Sequence, residues 1–537
     1  MTTQVRRAVA LAGAGALAAG LTLALPITAA HAATDARPAA LGATWLAAQP
    51  VDGLVTVKSE FNGQVSEFVD QGLSIDVALA LKAAGGQDAT VTEIRDAVAA
   101  EVAAGRYIQG DEYGFTEPFD FVQVGHYAGA TAKTLTAATE LGADPRDFGG
   151  VDLVAALEAR VTASGRIADD SSYGDYANVV GQSFAVRGLG ATDSTATAAV
   201  TDFLLLQQCD NGGFRLNFNS QDAGCTDPAE ATTDATSGAL KALDSLDSSD
   251  PDVVAAIEEG TDYLLDLQKT DGSFGGGATT EGANANSTGL AGSVLAELGE
   301  DEAATRAAIW VRAHQLTGID ACEPGTGAEA GAIAYNDDDL TAAAQDGIGD
   351  LERGIYVRSA AQALPLLTLA PAAEGTLGVQ GKNGYLAGGS RTAVTLTGVA
   401  AGERVCVVGG KAAVTATGPG TATVTLPAST GVRTLTLVTA DDSAETTVSV
   451  LGKAKLKVKA AKAAVKKGKK NKVTVTGLAA GEKVKLKLGK KAVAKGTANA
   501  KGTFKAKVKA PKKAGKVKLQ ATGQFANRKG ATTFRVR

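Results

Sequence analysis

The sequence predicts a multidomain protein in which an all-α array of helix pairs precedes two small all-β sandwiches. Three observations carry this prediction. A unit made of a helix, a Gly/Asp-rich hairpin and a second helix recurs six times between residues 40 and 370, and so long a period is typical of stacked or closed helical arrays. After residue 384 the pattern changes to alternating apolar and polar residues. A segment of that region recurs 79 residues later, which indicates a duplicated β module.

Residues 1–33 have the pattern of a secretory signal peptide. Arg6 and Arg7 precede a run rich in Ala and Leu, and Ala30-His31-Ala32 resembles a cleavage site. We therefore predict a secreted, extracellular protein whose mature chain begins near Ala33. An uncleaved membrane anchor is the competing interpretation, but Pro26 and the small residues at the cleavage site favour removal. No second apolar stretch approaches the ~20 residues that a membrane-spanning helix needs.

The two helices of each repeat differ in composition. The first helix, for example at 252–268, places apolar residues at helical spacing with acids between them. The second helix, for example at 235–246 or 287–298, carries Ala, Gly, Ser and Thr on several faces. Because small side chains let backbones approach closely, we expect the second helices to form an inner ring and the amphipathic helices to lie outside it.

Two consecutive repeats carry a specific motif. Residues 203–214 read FLLLQQCDNGGF, residues 263–275 read YLLDLQKTDGSFG, and residues 45–53 form a weaker copy. These segments resemble the Q-x-x-D-G-S-F/W repeats of the prenyltransferase/squalene-oxidase (terpene cyclase) group. The resemblance implies an (α/α)6 toroid over residues 40–370, with six helix pairs closed around a central cavity. It leaves the activity open, because toroids support several chemistries.

The residues that the known toroid chemistries require are incomplete. Protonating terpene cyclases use an Asp-x-Asp-Asp run, whereas here Asn336 precedes Asp337-Asp338-Asp339 in a predicted loop or helix start. Aromatic residues, which would stabilise carbocations, are only 5% of the chain. No Asp, Cys and His trio has the spacing of the prenyltransferase zinc site, and the thioester motif of complement-like toroids is absent. We predict no metal site and no cofactor, and we leave open whether the protein is an enzyme.

The candidate ligand site is the mouth of the predicted cavity. If the inner helices run parallel, their N-termini gather at one end, where the helix dipoles favour polar or anionic groups. We expect a small or glycan-like ligand there. Capping of the helices is the competing interpretation for Asp and Asn at such positions. The alternative function is a secreted enzyme of terpene-cyclase/prenyltransferase-like or polysaccharide-lyase-like type, for which two facing carboxylates could act on a glycan. The predicted site residues are Asp76, His126, Tyr176, Asn178, Asp234 and Asn286.

Four cysteines fit an exported protein. Cys209 and Cys225 flank one hairpin, and we predict a disulfide between them that contributes roughly 3 kcal/mol. Cys322 and Cys406 either pair, which would tie the helical domain to the first β module, or stay free.

The β region consists of two related modules. We predict a linker over 371–384, a first module over 385–452 and a second over 453–537, because Thr395–Val405 matches Thr474–Val484. Both modules resemble bacterial immunoglobulin-like repeats, which in surface proteins act as spacers or adhesive modules.

The net charge of −6 conceals a strong asymmetry. From Lys453 to Arg537 there are 28 Lys and Arg residues against one acid, Glu482, which leaves 24 basic and 57 acidic residues before position 453. We expect the basic module to contact an anionic cell-wall polymer, so that the protein is held non-covalently at the cell wall. DNA, heparin-like glycans and the chain's own acidic part are alternatives. A Lys-covered surface that only prevents edge pairing is the simplest competing explanation.

Overall fold

The computed structural model describes residues 33–219, 222–277 and 280–537. The predicted signal peptide lies outside these residues except for Ala33. The described chain from Arg37 to Leu369 is mainly helical, with two short β-hairpins between the helices, and from Gly378 onward it consists of strands. The predicted fold class, a helical domain followed by β modules, is confirmed.

The helical domain contains two sets of helices and one additional helix. The inner set consists of the second helix of each repeat, and the outer set of the first helix. In chain order the helices are α1 (Arg37–Ala47), α2 (Gln71–Ala84), α3 (Asp88–Ala103), α4 (Ala128–Glu140), α5 (Leu153–Glu158), α6 (Val179–Gly190), α7 (Thr197–Leu205), α8 (Thr233–Ser245), α9 (Pro251–Leu267), α10 (Ala285–Glu297), α11 (Asp301–Ala313), α12 (Asp337–Asp346) and α13 (Arg353–Ala363).

The inner helices form a closed ring. In the order α2, α4, α6, α8, α10 and α13, each helix packs against the next, and α13 packs back against α2. The neighbouring ring helices α4 and α6 run parallel, since Gly129 near the start of α4 meets Gly181 near the start of α6, and Leu135 meets Gly188 later in the same pair. A Cβ atom on Gly181 would lie 3.1 Å from the Cα of Gly129. Small residues therefore permit this close approach, as the sequence predicted.

Capping side chains decide where the inner helices begin. Asp70, Asn178, Thr232 and Asn284 each accept a hydrogen bond from a backbone N–H in the first turn of α2, α6, α8 and α10 respectively. Asp76 was predicted to lie at the cavity mouth beside a helix N-terminus, but Asp70 caps α2 and the helix begins at Gln71, so Asp76 lies within the helix. Some predicted site residues therefore lie inside the inner helices. Their side chains face the interior of the ring and do not cap a helix N-terminus.

Two β-hairpins precede the first two inner helices. Strands β1 (Thr56–Phe61) and β2 (Gln64–Val69) are antiparallel, and β3 (Gln109–Tyr113) and β4 (Phe121–His126) form the second pair. The β1–β2 turn is Asn62-Gly63, where both residues have positive φ, as a two-residue hairpin turn requires. The β1–β2 hairpin was not among the hairpins expected from the repeats.

The first β module is a sandwich of two sheets. Its sheets have the strand orders β10-β7-β5 and β6-β12-β11-β8-β9. Strand β5 lies within the segment 371–384, predicted as linker, because its central Val379 is buried against the module core. The strands are β5 (Gly378–Gln380), β6 (Tyr385–Ala387), β7 (Arg391–Thr397), β8 (Arg404–Val408), β9 (Val414–Thr417), β10 (Gly420–Thr425), β11 (Gly431–Val438) and β12 (Ser443–Leu451).

The second β module repeats this arrangement. Its sheets have the orders β13-β21-β20-β17-β18, with β15 also on β21, and β14-β16-β19. The strands are β13 (Ala454–Lys455), β14 (Lys457–Ala460), β15 (Ala464–Val465), β16 (Lys470–Thr476), β17 (Lys483–Leu488), β18 (Lys491–Thr497), β19 (Thr503–Lys509), β20 (Gly515–Thr522) and β21 (Arg528–Val536).

A disulfide and an ion pair join the toroid to the first β module. Cys322 of the helical domain is bonded to Cys406 of β8, with the two Cα atoms 5.8 Å apart. Beside it, Arg404 forms a salt bridge of 2.8 Å with the buried carboxylate of Glu323. Of the two possibilities predicted for Cys322 and Cys406, the structure therefore shows the disulfide and excludes free thiols. The predicted disulfide Cys209–Cys225 is also confirmed.

Candidate functional site

The ring encloses a cavity of about 490 Å³, within the range of small-molecule sites. All six inner helices contribute to its wall, so the cavity depends on ring closure. Among the predicted site residues, Asp76, Asp234 and Asn286 line this cavity together. Apolar side chains such as Leu216 and Leu290 line it as well, so a ligand would meet both polar and apolar surface.

Most charged side chains in the cavity wall are paired across the seams between neighbouring helices. The Nζ of Lys133 on α4 lies 2.6 Å from Oδ1 of Asp76 on α2, and both side chains are mostly buried. Glu140 pairs with Arg187, and Lys241 pairs with Glu297. These pairs join the helices laterally and neutralise the charges involved.

Asp234 differs from the other carboxylates in the wall. It lies in the first turn of α8, where Thr232 already supplies the cap, so its own side chain is not needed for capping. Burial raises the pKa of Asp234, and a hydrogen bond with Ser287 only partly opposes this. Its Oδ1 atom is buried and has no hydrogen-bond partner among the described residues.

Two further polar atoms in the wall share this property. The Oδ1 atom of Asn286 and the Oγ atom of Ser293, both on α10, are buried without a hydrogen-bond partner in the described part of the chain. Buried polar atoms in folded proteins are nearly always hydrogen-bonded. An amide can present either its oxygen or its nitrogen, and a hydroxyl can donate or accept. With Asp234, these groups form a set that is suited to a hydrogen-bonding ligand.

A second cleft of about 450 Å³ adjoins the central cavity. It holds two more of the predicted residues, Tyr176 and Asn178, and its wall includes the rings of Tyr107 and Tyr127. Asn178 accepts a hydrogen bond from the Gly181 N–H and so acts as a cap, as the competing interpretation predicts. The cleft shares with the central cavity the residues Lys133, Val180 and Phe184.

The sixth predicted residue, His126, lies elsewhere. It ends strand β4, and its backbone pairs with that of Asp170. It is not among the described residues that line the central cavity or the adjoining cleft. The sequence analysis in turn missed Lys133 and Ser293. Lys133 could have been found, because it is the one basic residue in the small-residue helix 128–140.

The acidic run at 337–339 is a helix start. Asn336 caps α12 by accepting hydrogen bonds from the backbone N–H groups of Asp338 and Asp339. These three aspartates are not among the described residues of the cavity wall. The only aromatic side chain found there, within the described residues, is Phe184.

Comparison with known proteins finds similar folds and no close relative. No family model matches the chain, and no curated protein matches it. The solved type II terpene cyclase MstE from Scytonema is 15% identical, with 62% of this chain and 97% of that chain covered and a TM-score of 0.43. The match lies in the N-terminal, helical part of the chain.

Two solved structures are similar to the strand region. The fibronectin(III)-like modules of CbhA from Clostridium thermocellum are 17% identical over 29% of this chain and 88% of theirs, with a TM-score of 0.19. The adhesin InvE from Yersinia pseudotuberculosis is 19% identical over 30% of this chain and 58% of its own, with a TM-score of 0.17.

None of the helices that the structure describes is both long and apolar enough to cross a bilayer.

Proposed function

We propose that the toroid binds a small, hydroxyl-rich, glycan-like ligand in its central cavity, and that the exported protein is held at an anionic cell surface by its basic β module. One observation carries the first part. Three buried polar atoms, on Asp234, Asn286 and Ser293, lack partners within the described residues and lie on the wall of one cavity.

The chemistry of these groups favours hydroxyls over charged ligand groups. An ionised Asp234 accepts hydrogen bonds only, whereas the amide of Asn286 and the hydroxyl of Ser293 can both donate and accept. A sugar hydroxyl also does both, so it can satisfy each of the three. The remaining wall charges are paired with one another, so the ligand does not need a charge of its own.

A binding screen tests this proposal. Purified protein is titrated with mono- and oligosaccharides, and binding is measured by calorimetry and by the rise in melting temperature, which a ligand specific for the native state causes. Asn286→Ala should weaken binding by about 5-fold to 150-fold, because a lost hydrogen bond to a buried group costs about 1–3 kcal/mol. Asn178→Ala is the control. It removes a helix cap outside the central cavity and should lower stability without changing affinity for the ligand.

The second candidate function is an enzyme that uses the same cavity. The observation that favours it is the buried Asp234, whose raised pKa suits a proton donor. A glycan-cleaving enzyme would use it with Asp76, although Asp76 is engaged by Lys133. A terpene-cyclase-like enzyme would have only the ring of Phe184, among the described wall residues, to stabilise a carbocation. If the protein is an enzyme, it should turn over a substrate, and Asp234→Asn should abolish this turnover while the ligand still binds.

Export is the remaining part of the proposal. Two disulfides support an oxidising, extracellular environment. Sequencing the N-terminus of protein recovered from the culture medium should give a mature chain that begins near Ala33. Protein associated with cell walls should be released by high salt, since contacts between exposed charges are screened. Attachment that persists at high salt would contradict an electrostatic anchor.

A further inference from the structure

One face of the second β module carries seven exposed lysines. Strand β16 lies between β14 and β19, and the register places Lys470 opposite Lys509 and Lys472 opposite Lys507. Alternate residues along each strand are buried or partly buried and the lysines between them are exposed, so the lysines share the outer face. This Lys face consists of Lys457, Lys459, Lys470, Lys472, Lys505, Lys507 and Lys509.

The Lys face is electrostatically unfavourable for the isolated protein. Like charges directly opposite each other on neighbouring strands destabilise a sheet. Within the described residues, no acid forms an ion pair with any of these seven lysines. The single acid of the module, Glu482, is fully buried and is bound to Arg528, with 2.7 Å between Oε1 and Nε. The positive charge of the face is therefore uncompensated by ion pairs within the part of the chain that the structure describes.

The first module provides an internal comparison. Its sheet β10-β7-β5 has the same arrangement as β19-β16-β14. Strand β7 matches β16 at a spacing of 79 residues, so Ala393 of the first module corresponds to Lys472 of the second. The strands paired with β7 and β16 are β10 and β19, and their registers place three threonines of β10 where β19 has lysines. Residues 385–452 contain four basic and four acidic residues. The fold therefore does not require a Lys face. The matching threonines are Thr421 for Lys505, Thr423 for Lys507 and Thr425 for Lys509.

We propose that the Lys face binds a flexible polyol-phosphate polymer, a linear chain of phosphodiesters without bases, that lies along the strands; this inference rests on the function proposed above for the basic module. Successive outward lysines on one strand repeat every ~6.7 Å, and neighbouring strands are ~4.8 Å apart. The face thus forms a regular grid of positive charge for a flexible chain with repeated negative groups. Lysine binds phosphate as a point charge, whereas arginine would favour planar, bidentate recognition.

Two other polyanionic partners fit the face less well. Single-stranded nucleic acids are usually held by aromatic side chains on which the bases stack. Among the described residues of this module there is no strongly exposed aromatic or large aliphatic side chain. The same absence removes the apolar groups that insert into a membrane surface. The face therefore matches a polymer that is recognised by charge alone.

The test is a titration of the full chain with purified poly(glycerol phosphate) at 50–200 mM salt. The Lys-face variant carries Lys472→Ala, Lys505→Thr, Lys507→Thr and Lys509→Thr, the residues of the first module. Its affinity should fall about tenfold or more, and its salt-dependence slope should become shallower by about three. The matched control replaces four lysines of the other sheet with Thr and should change affinity no more than about twofold. Those four are Lys485, Lys487, Lys516 and Lys518.

A graft guards against loss of binding through misfolding. Ala393→Lys, Thr421→Lys, Thr423→Lys and Thr425→Lys, added to the Lys-face variant, should restore affinity to within about threefold of the original chain. Equal losses in the Lys-face variant and the control would overturn this inference but leave the proposed function of the module intact. Failure of the unaltered chain to bind any anionic polymer would overturn both. Tighter binding of duplex DNA or anionic vesicles through the same face would overturn the assignment of the partner.

Discussion

Asp76 on α2 and Lys133 on α4 form a salt bridge of 2.6 Å across one seam of the ring, whereas Asp234, on the wall of the same cavity, has a buried oxygen without a partner in the described chain. The two carboxylates were predicted as equivalent site residues. The structure separates their roles. Asp76 helps to join neighbouring helices, and Asp234 is available to a ligand.

Asp234→Asn should stabilise the protein and weaken ligand binding. The folded-state pKa of Asp234 is raised, so the folded state binds a proton more readily than the unfolded state does. The destabilisation from its charge is therefore full above the folded-state pKa and is relieved as the pH falls through that pKa toward the ordinary value of 3.8. Melting curves at pH 7 and pH 4 measure the effect. The amide variant should melt higher at pH 7, with a smaller difference at pH 4.

A lower melting temperature for Asp234→Asn at pH 7 would show that the folded protein stabilises the charged carboxylate. Ligand affinity equal to that of the original chain would show that Asp234 does not contact the ligand. Asp252→Asn is a suitable control, because Asp252 is exposed at the start of the outer helix α9. It should change neither property.

Lys133→Met should destabilise the toroid. It leaves the carboxylate of Asp76 largely buried without its counter-charge, which costs about 1–3 kcal/mol. Urea unfolding measures the change. The double variant Asp76→Leu/Lys133→Met should recover most of the loss, because removal of both partners eliminates the unpaired charge. If the loss of unfolding free energy in the double variant equals the sum of the losses in the two single variants, this explanation is contradicted.

Glu112→Gln should change how stability depends on pH. Burial alone would raise the pKa of Glu112, but hydrogen bonds from Ser171 and Ser172 lower it to about 2. The Ser172 N–H and Oγ lie 2.6 and 2.7 Å from Oε2. Because the folded-state pKa is depressed, this contribution to stability is full above the ordinary value of 4.5 and is lost as the pH falls toward 2.

The measurement is the melting temperature between pH 7 and pH 2.5. The Gln variant should be less stable than the original chain at pH 7, and the difference should shrink as the pH falls through the window below 4.5. Glu67→Gln, at an exposed site in β2, serves as the control. If the difference in melting temperature between the original chain and the Glu112 variant does not change with pH, the lowered pKa of Glu112 is contradicted.

Removal of the disulfide Cys322–Cys406 should uncouple the toroid from the first β module. The pair Cys322→Ser/Cys406→Ser should cost about 2–5 kcal/mol and separate the calorimetric unfolding of the two parts. The matched pair Cys209→Ser/Cys225→Ser lies within the toroid, so it should lower only the transition of the helical domain. One unchanged cooperative transition in the first variant would show that the domain contacts alone maintain the coupling.

The sequence predicted the ring better than the site. Periodicity and small residues identify the inner helices, because close approach needs glycine at positions such as Gly181. The position of Asp76 along α2 was mispredicted, because Asp70 and Asp76 are equally plausible caps until the helix start is known. Ser293 could not be predicted, because whether a helical side chain faces the cavity depends on the rotation of the helix in the ring. The Cys322–Cys406 bond joins two domains, so local spacing could not decide it.

Native mass spectrometry of the purified protein after incubation with a concentrated extract of small metabolites tests the central claim most directly. The account predicts a retained hydroxyl-rich molecule that fits about 490 Å³, on the original chain and on Asn178→Ala, but lost from Asn286→Ala/Ser293→Ala. A bound molecule that persists in the double variant, or no bound molecule on the original chain, would contradict the assignment of the central cavity as the ligand site.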